Sequence, residues 1–150
     1  MRTPAWVATV FVLACAAFDE AAAGAEFRSI GDRPAVLYDA PSQKANKLAI
    51  LGHSNPVEVL VKLEKWTKVR DSSGEVAWLE TPFLSGKRFV VVASQSGEVR
   101  MQANPAAAVV FEAQKQVLLE LTGPVADGWI PVRHRDGQQG FIKISQVWGA

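Results

Sequence analysis

Residues that could act as nucleophiles, bases or metal ligands are few and widely spaced in this sequence. It has two histidines, His53 and His134, and one cysteine, Cys15. A zinc site needs three or four ligands at defined spacing, and a nucleophile needs a base within hydrogen-bond reach. Asp71 and Asp136 each begin or occupy a predicted turn, where a carboxylate usually caps the backbone. The sequence therefore predicts no enzyme, no metal site and no cofactor.

Aromatic side chains are the residue type that could form a binding site. Trp78 precedes Leu79 and Phe141 precedes Ile142, and successive strand residues point to opposite faces. If the aliphatic residue of each pair packs inward, the ring faces outward, and Trp66 and Trp129 are then expected to be half exposed. The rings could instead complete small hydrophobic cores, because each aromatic residue buries a large area. The candidate ligand-binding residues are Tyr38, Trp66, Trp78, Phe83, Arg70, Trp129 and Phe141.

The elements that would position these rings occur twice in the sequence. Trp66 is followed at steps of 3, 4, 8 and 12 by Val69, Arg70, Gly74 and Trp78. Trp129 is followed at the same steps by Val132, Arg133, Gly137 and Phe141. A repeat of this kind indicates one small supersecondary unit used twice.

Strand patterns dominate each copy. Alternation places Val57, Val59, Val61 and Leu63 on one face of a strand in the first copy, and Val117, Leu119 and Leu121 on one face in the second. Short strands separated by frequent turns predict an all-β fold of two small barrels. The segment 106–116 favours a strand over a helix, because Val109, Val110 and Phe111 are consecutive.

Two further predictions concern turns and strand order. The segments 71–74 and 135–137 are typical of hairpin turns that need glycine at positive φ. Pro131 lies within a strand pattern but cannot donate a ladder hydrogen bond, which predicts an edge or a bulge at that point.

The first 25 residues have the pattern of a cleaved export signal. Arg2 precedes an apolar run from Trp6 to Ala17, and Ala23-Gly24-Ala25 offers small residues for a peptidase. The run is too short to cross a bilayer as a helix, which needs about 20 residues. A lipid anchor at Cys15 is the less favoured alternative. We therefore expect a periplasmic or secreted protein with no stable membrane span after processing.

Charge excludes one class of partner. The formal net charge is +1, which is not the basic balance of a nucleic-acid-binding domain.

The mature sequence resembles the bacterial Src-homology-3-like (SH3-like) domain family, in its tandem exported form. The first copy shows the family pattern in Asn55-Pro56-Val57-Glu58-Val59, in Lys65-Trp66-Thr67-Lys68-Val69-Arg70-Asp71, in the spacing of Gly74 and Trp78, and in the segment from Phe83 to Arg88. The second copy closes with Val147-Trp148-Gly149. Ala77 and Phe141 depart from the glycine and tryptophan usual in the family. With the export signal at 1–25, the two copies predict domains at 26–88 and 89–150.

The resemblance also implies a function. It suggests a binding module for cell-wall peptide or glycan (peptidoglycan), with a structural or protein-interaction scaffold in the bacterial envelope as the alternative. If the ligand carries carboxylates, the first copy is favoured, because Lys62, Lys68 and Arg70 lie near its rings. The second copy offers Met101 in place of Tyr38 and has no charge excess.

Overall fold

The computed structural model of this chain describes residues 24–150. The predicted signal peptide up to Ala23, including Cys15, therefore lies outside the described residues. Residues 24–150 form fourteen β-strands in two antiparallel sheets, with two short 3-10 helices and no α-helix. The prediction of an all-β fold built from two small units is confirmed. No helix in the described part of the chain is long and apolar enough to cross a membrane.

Each sheet has seven strands. The first module is formed by β1 (Glu26–Ile30), β2 (Ala35–Tyr38), β3 (Lys47–Leu51), β4 (Pro56–Lys62), β5 (Trp66–Arg70), β6 (Val76–Glu80) and β7 (Leu84–Ser85). The second module is formed by β8 (Phe89–Val92), β9 (Ser96–Arg100), β10 (Val109–Gln114), β11 (Leu118–Leu121), β12 (Trp129–Arg133), β13 (Gln139–Lys143) and β14 (Val147–Trp148). The 3-10 helices are Thr81–Phe83 and Ile144–Gln146.

The two sheets have the same strand order. The first sheet runs β3-β2-β6-β5-β4-β1-β7 and the second runs β10-β9-β13-β12-β11-β8-β14. Every strand of the second module thus takes the place of the strand seven positions earlier. The sequence repeat is a repeat of the complete sheet topology.

Each module encloses its own small core. The first is built from Ile30, Ala35, Leu37, Val57, Val69, Ala77 and Leu79. The second is built from Val90, Val92, Val99, Ala113, Leu119, Ile130, Val132 and Ile142. Both sets come from alternate strand positions, which is why the opposite face of each strand is free to carry other chemistry.

Alternation predicted the inward residues of β11 correctly, but those of β4 only in part. Leu119 is fully buried, and Val117 and Leu121 pack against the same core. Val57 is also fully buried, whereas Val61 and Leu63 are exposed. The register of β4 against β5 shifts between Val59 and Val61, so a bulge interrupts the alternation there.

The predicted hairpin turns are confirmed. Gly74 has φ of +91° and Gly137 has φ of +94°, values that glycine adopts without steric cost. Gly74 donates its backbone N–H to the carbonyl of Asp71 at 3.0 Å, and Gly137 donates to the carbonyl of His134 at 2.9 Å.

The prediction for Pro131 is wrong for its strand as a whole. β12 lies inside the sheet, between β13 and β11, and neither of its ladders shows a register shift. Pro131 is accommodated because the neighbouring strand β11 ends at Leu121. The next residue, Thr122, donates its backbone N–H to the Pro131 carbonyl at 3.0 Å. The missing donor therefore falls where the neighbouring strand has stopped.

The segment 106–116 forms a strand, as predicted. β10 runs from Val109 to Gln114 and pairs with β9, with a register shift between Val109 and Phe111. β10 is an edge strand of its sheet, with Ala113 buried in the core and Phe111 packed partly against it.

Aromatic and polar contacts join the two modules. Phe27 of β1 meets Trp148 of β14 edge to face, with ring centroids 5.1 Å apart. The buried Ser29 hydroxyl accepts the backbone N–H of Phe89 at 2.9 Å. Arg88 donates to the carbonyl of Gly149 at 2.7 Å and thereby ties the connecting segment to the chain's last residues. These contacts give the modules a fixed relation to each other.

Candidate functional site

Tyr38, Trp66 and Trp78 lie on the outer face of the first sheet. The neighbours of Trp78 along β6, Ala77 and Leu79, are buried, so Trp78 points away from the core. Tyr38 is the direct cross-strand partner of Trp78, and directly opposed residues share a face. Trp66 lies on the same side of β5, because it alternates with the buried Thr67. We call Tyr38, Trp66 and Trp78, with the adjoining Lys68, the aromatic face.

The rings of the aromatic face support one another. Tyr38 and Trp66 meet edge to face, with centroids 5.3 Å apart and planes at 86°. Tyr38 is only 6% exposed, whereas Trp66 and Trp78 are half-buried. The Lys68 ammonium lies 5.8 Å from the centre of the Trp78 ring, within the range of a cation–π contact. Tyr38 is thus a support, while the two tryptophans offer accessible ring surface beside a positive charge.

A polar side chain borders the aromatic face. Glu80 is the cross-strand partner of Trp66, and its carboxylate accepts the side-chain amide of Gln43 at 2.6 Å. This bond ties the loop between β2 and β3 to the end of β6.

Phe83 and Arg70 do not join the aromatic face. Phe83 packs against the core of the first module, and the Arg33 guanidinium lies 5.2 Å from its ring centre. Arg70 lies farther along β5, and its guanidinium is bonded to the Glu58 carboxylate at 2.7 Å. Since that ion pair crosses to β4, the charge of Arg70 is directed away from the rings.

The second module does not repeat the aromatic face. The expectation that Trp129 is half exposed is wrong, since it is 7% exposed. Phe141 is half-buried on the outer face, directly opposite Arg100. Arg100 is therefore the residue that takes the position of Tyr38, and the sequence match to Met101 is wrong. Met101 lies outside β9 and is 65% exposed.

A cleft between the modules was not foreseen from the sequence. It has a volume of about 720 Å³ and is lined from the first module by His53 and Ser54. The second module contributes the segments around Phe89, Leu118 and His134. The two histidines, which sequence spacing treats as unrelated turn residues, thus line one cleft. Only the docking of the modules brings them together, and no sequence motif carries that information.

Titratable groups do not form a metal centre in the described residues. No group of three or more histidine, cysteine, aspartate or glutamate side chains lies close enough together to hold an ion within residues 24–150. His134 is bonded through Nδ1 to the Asp136 carboxylate at 3.0 Å.

The geometry agrees with the comparison to known families. The family model described as the bacterial SH3 domain matches residues 31–86 and again residues 93–149. The chain therefore belongs to the bacterial SH3 domain family and contains two of its domains in tandem, as the resemblance implied. Domains of this family are in general cell-wall binding modules rather than catalytic ones.

Solved structures show a more distant similarity. NlpC2 and NlpC1 from Trichomonas vaginalis each match with 12% identity and a TM-score of 0.38, over 82% and 83% of this chain and 47% and 45% of theirs. An NlpC/P60 family protein from Bacillus cereus matches with 17% identity and a TM-score of 0.35, over 81% of this chain and 55% of that one. This chain thus spans about half the length of these structures. No curated protein matches the sequence.

Proposed function

We propose that this chain is a non-enzymatic exported protein that binds cell-wall peptide or glycan, with the aromatic face of the first module as its contact surface. The observation that carries the proposal is the pair of accessible rings, Trp66 and Trp78, held on a rigid sheet beside Lys68.

The chemistry of the aromatic face suits a ligand that is partly apolar and partly acidic. Flat rings contribute large contact area with little loss of conformational entropy. Lys68 supplies a positive charge that attracts carboxylates of a wall peptide. Phe83, Arg70, Trp129 and Phe141 lie apart from this surface, so we assign them no direct contact.

Sedimentation with isolated peptidoglycan tests the proposal. Trp78→Ala should weaken binding by about 2 kcal/mol, about 30-fold, which is the effect of truncating a hot-spot residue. Phe141→Ala is the matched control, because Phe141 occupies the equivalent half-buried position of the second module. The melting temperature of both variants must show that they fold. If folded Trp78→Ala binds as the wild type does, or if both variants lose binding equally, the aromatic face is not the site.

Export by a cleaved signal is the second part of the proposal. Cleavage after Ala25 would leave β1 intact, because this strand begins at Glu26 and the Glu26 carboxylate pairs with Lys62 at 2.6 Å. Intact-mass analysis of protein recovered from the envelope should find Glu26 as the first residue. A lipid-modified Cys15 would instead establish the anchored alternative.

We also propose the domain limits 26–88 and 89–150, from the strands that end the first sheet and begin the second. β7 ends at Ser85 in the first sheet, and β8 begins at Phe89 in the second. The fragments 26–88 and 89–150, expressed separately, should therefore each give the circular dichroism spectrum of a folded β-sheet module.

An envelope scaffold is the alternative function, and one observation favours it. β3 forms an edge of the first sheet, with Leu48 46% and Ile50 73% exposed. Exposed edge strands can pair with a strand of another protein. A photo-crosslinker at Ile50 should capture one defined envelope protein in cells if this role is correct, and Ile50→Lys should then leave peptidoglycan binding unchanged.

A further inference from the structure

The cleft between the modules has the dimensions of a ligand site. Its volume of about 720 Å³ lies within the range of about 300–1,000 Å³ that is typical of small-ligand pockets. Its walls come from both modules, so it exists only when they are docked. It is separate from the aromatic face, because none of Tyr38, Trp66 and Trp78 lines it.

The charged side chains of the cleft are predominantly positive. Lys87, Arg133 and Arg135 line it together with one carboxylate, Glu120. Glu120 is shared between two cations, at 3.5 Å from Lys87 and 3.1 Å from Arg133. Arg135 is exposed and makes no ion pair with any residue in the range 24–150. The cleft therefore has two positive charges in excess while its histidines are neutral.

The nearby Asp136 carboxylate is directed into its own turn. Its Oδ1 accepts the backbone N–H of Gln138 at 2.9 Å, and its Oδ2 accepts the Gln138 side-chain amide at 2.9 Å. The His134 ring is bonded to the same carboxylate at 3.0 Å. Asp136 is thus engaged within its own turn and is not among the lining residues.

Apolar surface lies next to these cations. Phe89, Val117 and Leu118 line the cleft and are half-buried. The Lys87 ammonium lies 5.6 Å from the Phe89 ring centre, so charge and apolar surface adjoin directly. An inorganic anion would leave the apolar surface uncovered, and an apolar ligand would leave the excess cations without partners.

The junction holds this arrangement in place before any ligand arrives. Phe89 of the cleft is anchored through its backbone N–H to the buried Ser29 hydroxyl of the other module. The Phe27–Trp148 contact adds a second link, between β1 and β14, and β14 is paired with β8. A preformed site loses less entropy on binding than one that must be assembled.

We propose that the cleft between the modules binds a short acidic peptide. A ligand carboxylate pairs with Arg135 and the neighbouring Arg133, where charge-assisted hydrogen bonds are strongest. An apolar side chain of the same peptide packs on Phe89, Val117 and Leu118. This site is independent of the aromatic face and of whatever that face binds.

A nuclear magnetic resonance titration of the full mature chain tests this proposal. The probe is N-acetyl-Glu-Leu-Glu-amide, with N-acetyl-Gln-Leu-Gln-amide and N-acetyl-Glu-Gly-Glu-amide as matched controls. We expect backbone amide shifts concentrated at Lys87, Leu118 and Arg135, and affinity for each control at least about tenfold lower, because each lacks one half of the recognition. The proposal is overturned if the probe causes no shifts at millimolar concentration, if the shifts lie elsewhere, or if a control or inorganic phosphate binds equally well.

Charge reversal locates the site within the chain. Arg135→Glu should weaken probe binding about tenfold or more, since it replaces an attraction with a repulsion at an exposed residue outside both cores. Lys44→Glu makes the same charge change on the exposed β2–β3 loop of the first module and should leave affinity unchanged. Equal effects of both variants would reduce the interaction to non-specific attraction and overturn the proposal. Trp78→Ala should bind the probe normally, so failure of one site is distinguishable from failure of the other.

Discussion

Tyr38 and Arg100 occupy the same position in the two modules, and that difference changes the outer face of each sheet. Tyr38 stands opposite Trp78 and supports Trp66 edge to face at 5.3 Å. Arg100 stands opposite Phe141, is bonded to the Glu98 carboxylate, and donates to the Ala107 carbonyl at 2.7 Å. An aromatic network on one module is thus replaced by an ionic one on the other, while the strand order stays the same.

The modules also differ in how closely their strands approach. Ala77 is buried between its neighbours in the first module, and Gly140 takes its place in the second. A methyl group at Gly140 would collide with the Arg100 carbonyl and lie 2.8 Å from Val99 Cγ1. The backbone around β9 and β13 is therefore too tight for the alanine that the first module contains. Equivalent positions in the two sheets thus keep the same strand pairing, although their residues can no longer be exchanged.

The largest loss of stability is expected when the residues at this position are exchanged between the modules. Gly140→Ala should destabilise the second module by about 3 kcal/mol, at the upper end of what overpacking costs, because a backbone carbonyl cannot move aside as a side chain can. The reciprocal Ala77→Gly should cost only about 1.5 kcal/mol in the first module, from a lost buried methyl group and added backbone freedom. Differential scanning calorimetry measures both. An unchanged melting temperature for Gly140→Ala would show that β9 and β13 can separate freely.

Features that depend on residues close together in the sequence could be predicted, whereas features that depend on strand register could not. The duplicated spacing from Trp66 and from Trp129 predicted the paired sheets, because spacing within a hairpin is a local property. The bulge between Val59 and Val61 was missed, since alternation alone assumes an unbroken register. Arg100 was missed because it lies 29 residues before Trp129, whereas Tyr38 lies 28 residues before Trp66, so the constant offset of 63 residues between the copies points to Met101 instead.

The inter-module cleft could not be predicted from the sequence, for a different reason. His53 and His134 each lie in an ordinary turn, and nothing in either turn indicates the other. Their proximity depends on the docking of Phe27 against Trp148 and of Ser29 against Phe89, contacts between residues about sixty or more positions apart. The aromatic face, by contrast, follows from alternation on neighbouring strands and could be anticipated in outline.

A smaller effect should distinguish the aromatic network from the ionic one. In a double-mutant cycle, Tyr38→Ala and Trp66→Ala should couple by about 1 kcal/mol, the usual contribution of an edge-to-face aromatic pair beyond its buried area. The equivalent cycle with Arg100→Ala and Trp129→Ala should couple by less than about 0.5 kcal/mol, because Arg100 is bonded to Glu98 and Ala107 instead. Denaturant unfolding measures each variant. Equal coupling in both cycles would mean that Arg100 supports its tryptophan as Tyr38 does.

The smallest effect concerns the hairpin turns, which the two modules cap with carboxylates at different positions. In the first, Asp71 opens the turn and its Oδ1 accepts the backbone N–H groups of Ser73 and Glu75 at 2.9 and 3.0 Å. In the second, the opening position is His134, and Asp136 within the turn accepts the Gln138 backbone N–H at 2.9 Å. The second turn therefore pairs its carboxylate with a histidine, whereas the first turn has a carboxylate alone.

Titration of Asp136 tests that difference. The Gln138 backbone N–H, followed by the Gln138 side chain and His134, lowers the pKa of Asp136 from 3.8 to about 2. Because the folded-state pKa lies below the unfolded one, the carboxylate contributes stability that is fully present above about pH 4 and is lost as the pH falls toward 2. The melting temperature of Asp136→Asn should therefore lie slightly below that of the wild type at pH 5, and the gap should close by about pH 2. Since Asp136 is exposed, the gap at pH 5 should be small. A gap that stays constant across this range would show that the turn does not depend on the charge of Asp136, and that its glycine alone sets its stability.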